Sequence, residues 1–135
     1  MTNPVQNVQV NYVDGVSSLS AINLVQGVTV LSNGNITVET TSEGLDVVFH
    51  PPENYSLSQV TITYMDSTKE SGPDGAWVQV ENLKALCQNG SVHFQDLNVN
   101  DQLTYSYDLT INGSGSLEKT LPKLPDPRLE NKGTT

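Results

Sequence analysis

Few residues in this sequence have side chains suited to catalysis. Two histidines, His50 and His93, and one cysteine, Cys87, are the candidates for nucleophilic or acid–base chemistry. None of them lies in a recognisable motif that sets a Ser, Cys or Thr nucleophile beside a base. A lone cysteine in a small domain is more often a packed apolar residue than a nucleophile. We therefore expect a protein that is not an enzyme and has no catalytic residue.

Acidic residues are abundant, but their pattern favours neither hydrolysis nor metal binding. Glycoside hydrolysis needs two carboxylates about 5 to 10 Å apart in a cleft, and among 15 acidic residues such a pair arises by chance. Residues 66–75 place Asp66, Glu70 and Asp74 in a loop-like stretch with oxygen ligands of the kind that calcium prefers. The spacing is not that of an EF-hand, and Lys69 weakens the local field, so a solvated acidic loop is the favoured interpretation. We predict no metal site and no cofactor.

The single tryptophan is the strongest candidate for a binding residue. Small apolar residues alternate around it, so Trp77 shares the polar side of its predicted strand with amide and carboxylate side chains. A sugar ring can stack on such an exposed aromatic plane while its hydroxyl groups bond to the polar neighbours. The competing interpretation is a one-residue bulge beside Gly75 that turns the indole inward. The predicted ligand-binding residues are Trp77, Gln79, Glu81 and His93.

Turn signals at short intervals define the elements that must position these residues. Asn-Gly, Asp-Gly and Glu-Gly pairs recur along the chain, and they tolerate the positive φ angles of tight hairpins. The segments between them are rich in Val, Ile, Thr and Tyr and alternate with period two. They predict about eight strands, at residues 5–13, 21–31, 35–40, 45–50, 59–65, 76–82, 91–96 and 102–111. Residues 81–87 alone have a faintly helical pattern.

Many short strands with regular turns predict an all-β fold, an antiparallel β-sandwich, with a closed barrel as the alternative. Alternation places Tyr105 and Tyr107 in the core and His93 on a solvated face. Three prolines lie between residues 122 and 127, and proline cannot donate to a sheet ladder. We therefore predict one sandwich domain over residues 1–121 and an extended, Pro-rich tail over residues 122–135.

Composition excludes several classes of partner. The net charge of -9 and the pI near 4.3 repel nucleic acid and anionic membrane surfaces. No apolar run is long enough to insert into a membrane. The first residues lack the pattern of a secretory signal, so we expect a cytoplasmic protein or a fragment of a secreted one, with the compartment otherwise open. One cysteine cannot form an internal disulfide.

Two segments resemble a known family of binding modules. Residues 59–64 read Gln-Val-Thr-Ile-Thr-Tyr, and residues 91–107 combine an aromatic strand, an Asn100-Asp101 turn and a strand with two tyrosines. This order is similar to that of the carbohydrate-binding β-sandwich modules attached to bacterial β-1,3-glucanases, in which Gly-Asp is usual at the turn. The resemblance covers residues 45–120. It implies a non-catalytic sugar-binding module of immunoglobulin- or fibronectin-like topology, with a glycan, such as a β-glucan, as its ligand.

Departures from that family leave a second function open. The end of the predicted sandwich, residues 114–119, lacks the aromatic residues with which those modules hold a glucan. The sequence predicts a lectin-like, carbohydrate-binding protein, which could gain avidity as a homo-oligomer. The alternative is a structural, assembly or adhesin subunit that acts through protein–protein contacts, made by exposed edge strands or by the Pro-rich segment.

Overall fold

A computed structural model gives the fold of residues 3–40, 43–72, 75–113, 124 and 127–133. Within these residues the secondary structure is twelve strands and one 3-10 turn at Val99–Asp101, without an α-helix. The prediction of an all-β fold is confirmed. The strands are β1 (Val5–Val13), β2 (Val16–Ala21), β3 (Val28–Val30), β4 (Ile36–Val38), β5 (Leu45–His50), β6 (Tyr55–Tyr64), β7 (Ser67–Ser71), β8 (Val78–Val80), β9 (Leu83–Gln88), β10 (Ser91–Asp96), β11 (Thr104–Gly113) and β12 (Arg128–Asn131).

The strands form two six-stranded sheets that pack face to face. The first sheet has the order β2-β1-β5-β10-β9-β8, and the second has the order β3-β4-β12-β11-β6-β7. Each sheet contains one parallel pair, β1 with β5 and β4 with β12, and the remaining pairs are antiparallel. The predicted purely antiparallel arrangement is therefore wrong. Both parallel pairs join strands that are distant in the chain, and alternation and turn signals carry no information about such pairs.

The predicted count of about eight strands is also too low. Strands β2 and β7 were missed because each buries only one side chain, Leu19 in β2 and Ser71 in β7, so neither has an apolar face to alternate. Two hairpin turns that lack glycine were also not predicted. They are the turns at Met65 and Glu81, which adopt positive φ angles of 52° and 48°.

The predicted helical segment at residues 81–87 is strand β9 instead. Its inward residues are Leu83, Ala85 and Cys87, all fully buried. Leu86 lies between them on the outward side, half-buried. The segment has a helical pattern only because the outward residue Leu86 is apolar. Together with the inward Leu83 and Cys87, it gives apolar residues at helical spacing.

The core lies between the sheets and is centred on three aromatic rings. Phe49 of β5, Phe94 of β10 and Tyr107 of β11 meet at centroid distances of 5.0 to 5.5 Å. Tyr107 donates its hydroxyl hydrogen to the carbonyl of Gly34, and burial raises its pKa. Tyr105, also predicted to face inward, is fully buried. The inward faces read from alternation are confirmed for these strands.

The last described strand belongs to the sandwich and not to a tail. β12 pairs with β11 on one side and with β4 on the other, so it is an interior strand of the second sheet. Leu129 and Asn131 are buried, and so is Leu124 upstream. The predicted boundary at residue 121 is therefore wrong for residues 128–131. Four residues are too few for a clear alternation, and the nearby prolines are not typical of a strand.

Candidate functional site

Four neighbouring strands of the first sheet present the candidate site on their outward side. Register places Gln79 of β8 opposite Lys84 of β9, Lys84 opposite Gln95 of β10, and Gln95 opposite Asp46 of β5. The alternate residues of these strands fill the core, so this polar row must point outward. At about 4.8 Å per strand, the row extends over roughly 14 Å.

Trp77 and His93 lie beside this row on the same side of the sheet. Trp77 immediately precedes β8 and is 38% exposed. Its ring meets the His93 ring edge-on, with 5.3 Å between centroids and 66° between planes. We call this surface the Trp77 face; its members are Trp77, Gln79, Lys84, His93, Gln95 and Asp46.

Two charged side chains hold the aromatic pair in place. The Lys84 ammonium group lies 5.5 Å from the centroid of the Trp77 ring, which is within range of a cation–π contact. Nε2 of His93 lies 3.6 Å from Oδ2 of Asp46. Both contacts restrict the rings before any ligand binds. The alternative in which a bulge turns Trp77 inward does not hold.

The structure brings together only some of the predicted site residues. Trp77 and His93 are in contact, and Gln79 lies in the adjoining polar row, where its side-chain amide donates to the Glu81 carbonyl at 2.7 Å. Glu81 itself occupies the turn between β8 and β9 with a positive φ of 48°. Its side chain is exposed at the edge of the face and not within it.

Sequence reasoning missed three residues of the Trp77 face. Asp46 and Gln95 could have been found, because they lie at outward positions of two strands whose bounds were predicted correctly. Lys84 could not be found, because its segment had been interpreted as helical. The cation nearest to the indole was therefore absent from the predicted site.

A second polar cluster lies buried at one end of the sandwich and was not predicted. Asp101 follows β10 in the 3-10 turn, and its carboxylate accepts hydrogen bonds from the Tyr105 hydroxyl at 2.8 Å and from the side-chain amides of Asn82 and Asn131 at 3.2 and 3.0 Å. Asn131 also donates to Asp96 at 3.1 Å. Burial and the bond to Asp101 raise the pKa of Tyr105.

The other chemical candidates have structural roles. The Cys87 thiol is buried and donates to the Leu57 carbonyl at 3.2 Å, as expected for a packed cysteine. His50 shares a hydrogen bond of 3.0 Å with the Asn7 side chain. In the predicted acidic loop, residues 67–71 form β7, and Asp74 lies outside the described residues. Over the described ranges, no three His, Cys, Asp or Glu side chains cluster as metal ligands would.

Comparisons with known proteins give no further guidance on this site. Neither a family model, nor a curated protein, nor a solved structure matches the chain. In the part of the chain that the structure describes, no helix has both the length and the apolarity to cross a membrane.

Proposed function

We propose that the protein is a non-catalytic, lectin-like carbohydrate-binding β-sandwich whose sugar site is the Trp77 face. The observation that carries the proposal is the half-exposed indole of Trp77, held between Lys84 and His93 beside a row of polar side chains. At 38% exposure, Trp77 leaves part of its apolar ring surface open to a ligand.

The chemistry of this face suits a sugar. The exposed side of the indole offers a flat apolar surface to the C–H groups of a pyranose ring. Gln95 provides both a donor and an acceptor for hydroxyl groups, Lys84 provides donors, and Asp46 provides an acceptor. The row's length of roughly 14 Å favours an oligosaccharide over a single sugar. A neutral β-glucan fits the mixed charges of this row and the acidic net charge of the chain.

An immunoglobulin- or fibronectin-like topology is part of this proposal. Tyr105 near the start of β11 supports it, because its hydroxyl accepts from the backbone N–H of Asn82 at 3.3 Å and donates to Asp101, four residues upstream. A tyrosine whose hydroxyl bonds back to an upstream segment at this position is a hallmark of immunoglobulin-like sandwiches.

A glycan array that includes soluble β-1,3-glucans tests the proposed site. We expect at least one specific glycan to bind, and Trp77→Ala to weaken its binding by at least about tenfold, the equivalent of about 1.4 kcal/mol of lost stacking and burial. Leu24→Ala is the matched control, because Leu24 is a 95% exposed apolar residue outside the Trp77 face. An empty array, or a bound glycan indifferent to Trp77→Ala, would count against the proposal.

Assembly through protein–protein contacts remains the second candidate, and the position of β12 favours it. β12 follows residues 114–127 in the sequence, and it lies between β4 and β11 in the second sheet. A strand joined to the rest of its sheet by a long connection can fill the same position in a second copy of the chain, which is the geometry of strand exchange. Homo-oligomers would then form without any new interface chemistry.

The length of the connection gives a test of strand exchange. Gly113 and Arg128 are separated by roughly 24 Å, because Arg128 pairs with Ser106 at the other end of β11. Deleting residues 114–121 leaves a connection with no slack over that distance, so the variant should exchange strands and elute as a dimer or larger species in light scattering. The control inserts six Gly and Ser residues after residue 117; the added slack favours closure within one chain, so this variant should exchange strands less than the unaltered chain. Monomers in both variants would exclude this route.

A further inference from the structure

The buried cluster at the end of the sandwich joins the two sheets through one amide group. Asp96 ends β10 in the first sheet and is 0% exposed; Asn131 ends β12 in the second sheet and is 2% exposed. Nδ2 of Asn131 donates to Oδ1 of Asp96 at 3.1 Å and to Oδ1 of Asp101 at 3.0 Å. A single side chain therefore bridges two carboxyl groups.

The two carboxyl groups differ in the number of hydrogen bonds that they accept from the protein. Asp101 accepts from the Leu103 backbone N–H at 2.9 Å, from Tyr105, and from the amides of Asn82 and Asn131. Asp96 accepts one side-chain hydrogen bond, from Asn131, and a backbone hydrogen bond from Asn98. When two acids lie close together in such unequal surroundings, the better solvated one carries the charge and the other retains its proton. Asp101 is thus the charged member.

Two atoms of this cluster lack a partner among the described residues. They are Oδ2 of Asp96 and Oδ1 of Asn131, both buried. The oxygens of an ionised carboxylate and of an amide are both acceptors, so neither atom can satisfy the other. A proton on Asp96 changes this, because a carboxylic acid donates through one oxygen and accepts through the other. The bond from Nδ2 of Asn131 to Oδ1 of Asp96 already joins the two groups, and a proton on Asp96 would provide the donor that the pair lacks.

We propose that Asp96 is a neutral carboxylic acid in the folded protein, that its proton on Oδ2 is donated to Oδ1 of Asn131, and that this acid–amide pair is a pH-sensitive lock between the two sheets. Deprotonation leaves a second negative charge beside Asp101 and two unsatisfied buried acceptors. The lock therefore weakens as the pH rises, which is the reverse of the usual behaviour of a paired carboxylate.

The surroundings agree with this direction. The pKa of Asp96 is raised to about 7, chiefly by burial and also by the charge of Asp101, while the Asn131 side chain and the Asn98 backbone partly oppose the shift. Tyr105, the other titratable group in the cluster, donates to Asp101 and stays neutral. Glu130 and Lys132 flank Asn131 along the chain, but they pair with each other at 2.6 Å at the surface.

The sign of the pH dependence follows from the raised pKa. The folded protein holds the Asp96 proton more tightly than the unfolded chain, whose pKa is near 3.8. The stability contributed by the lock is complete below pH 4 and is lost as the pH rises through about 7. Between pH 5 and pH 8 the unfolding equilibrium constant should increase roughly a hundredfold from this group alone.

Asp96→Asn in the full chain tests the lock, because the new amide supplies a permanent donor in place of the proton. We expect this variant to lose the roughly hundredfold dependence on pH between pH 5 and pH 8 and to be the more stable protein at pH 8. Asp14→Asn, at an exposed hairpin tip, is the control and should keep the wild-type dependence. A pH dependence unchanged by Asp96→Asn would overturn the proposal.

A direct titration of the wild-type carboxyl group keeps the proposal testable if Asp96→Asn fails to fold. The carbon-13 shift of the Asp96 carboxyl should titrate near pH 7. An Asp96 carboxyl that titrates near pH 4 would overturn the lock. A stabilisation by calcium chloride at pH 8, absent with sodium chloride of equal ionic strength, would instead identify the unpaired oxygens as cation ligands and would also overturn it.

Discussion

At the scale of single residues, Tyr105 connects three segments at the end of the sandwich. Its ring packs in the core of the second sheet, and its hydroxyl bonds to Asp101 and to the backbone of Asn82. The hydroxyl therefore ties the 3-10 turn to the hairpin between β8 and β9, the hairpin that also carries Glu81. A buried tyrosine with both a donor and an acceptor bond fixes the position of the elements around it.

Replacement of that hydroxyl gives a prediction at this scale. Tyr105→Phe should lower the free energy of unfolding by about 1 to 3 kcal/mol, because Asp101 loses a donor while it stays largely buried. Tyr12→Phe is the control: Tyr12 is half-buried, packs edge-on against Tyr55 at 5.9 Å, and should change the free energy by less than about 0.5 kcal/mol. Urea unfolding of both variants measures the difference. Equal losses in the two variants would contradict the role given to Tyr105.

Individual residues also show how far sequence reasoning could reach into the site. Alternation predicted the outward position of Trp77, beside β8, and that of His93, on β10. Their contact did not follow, because it depends on strand β9 lying between β8 and β10. Because the residues of β9 were predicted to be helical, neither the spacing between Trp77 and His93 nor the position of the cation Lys84 could be predicted.

At the scale of elements, the connection between β2 and β3 depends on a close backbone approach. Gly27 has a φ of +84°, and its carbonyl accepts from the Glu39 N–H at 2.7 Å. A Cβ atom at Gly27 would lie 1.8 Å from the Glu39 carbonyl oxygen. The connection can therefore approach the backbone of Glu39 this closely only because Gly27 has no side chain.

This geometry predicts a large effect of one methyl group. Gly27→Ala should destabilise the protein by at least about 2 kcal/mol, since the backbone of two segments must move apart. Gly15→Ala is matched in conformation, with a φ of +82°, but a Cβ there meets no atom within 4 Å. It should cost about 1 kcal/mol through its φ angle alone. Thermal or urea unfolding compares the two, and similar losses would show that the close approach is unimportant.

Elements differ in how clearly their sequences predict them. β5 and β10 were predicted with correct bounds because each buries three alternate residues and is bounded by turn residues. β7 and β12 were missed for opposite reasons. β7 is an exposed edge strand with almost no apolar face, whereas β12 is interior but only four residues long. Alternation detects strands that are both half-buried and long; β7 is not half-buried, and β12 is not long.

At the scale of the whole molecule, pairing between distant segments determines the topology. The two parallel pairs bring β1 beside β5 and β4 beside β12, and the chain's turns specify only neighbouring hairpins. A sandwich could therefore be predicted from the strand pattern, but its mixed sheets could not. The same distant pairing assembles the Trp77 face from β5, β8, β9 and β10, and it brings Asn131 to Asp96.

The overall charge also bears on the choice of ligand. A net charge of -9 repels anionic polymers over the whole surface and disfavours sulfated or uronic glycans. Lys84 is a local exception on the Trp77 face, and Asp46 on the same face offsets it. We therefore expect neutral glycans among the bound ligands, with little dependence of affinity on salt concentration.

The most direct test of the account is a nuclear magnetic resonance titration of the labelled full chain with neutral oligosaccharides, including β-1,3-glucan fragments. We predict that the indole N–H of Trp77 and the backbone amides of β9 and β10 around Lys84 and His93 shift together and saturate, while the amides of the second sheet stay in place. Saturable shifts confined to another surface, or no shifts with any glycan, would contradict the claim that the Trp77 face binds carbohydrate.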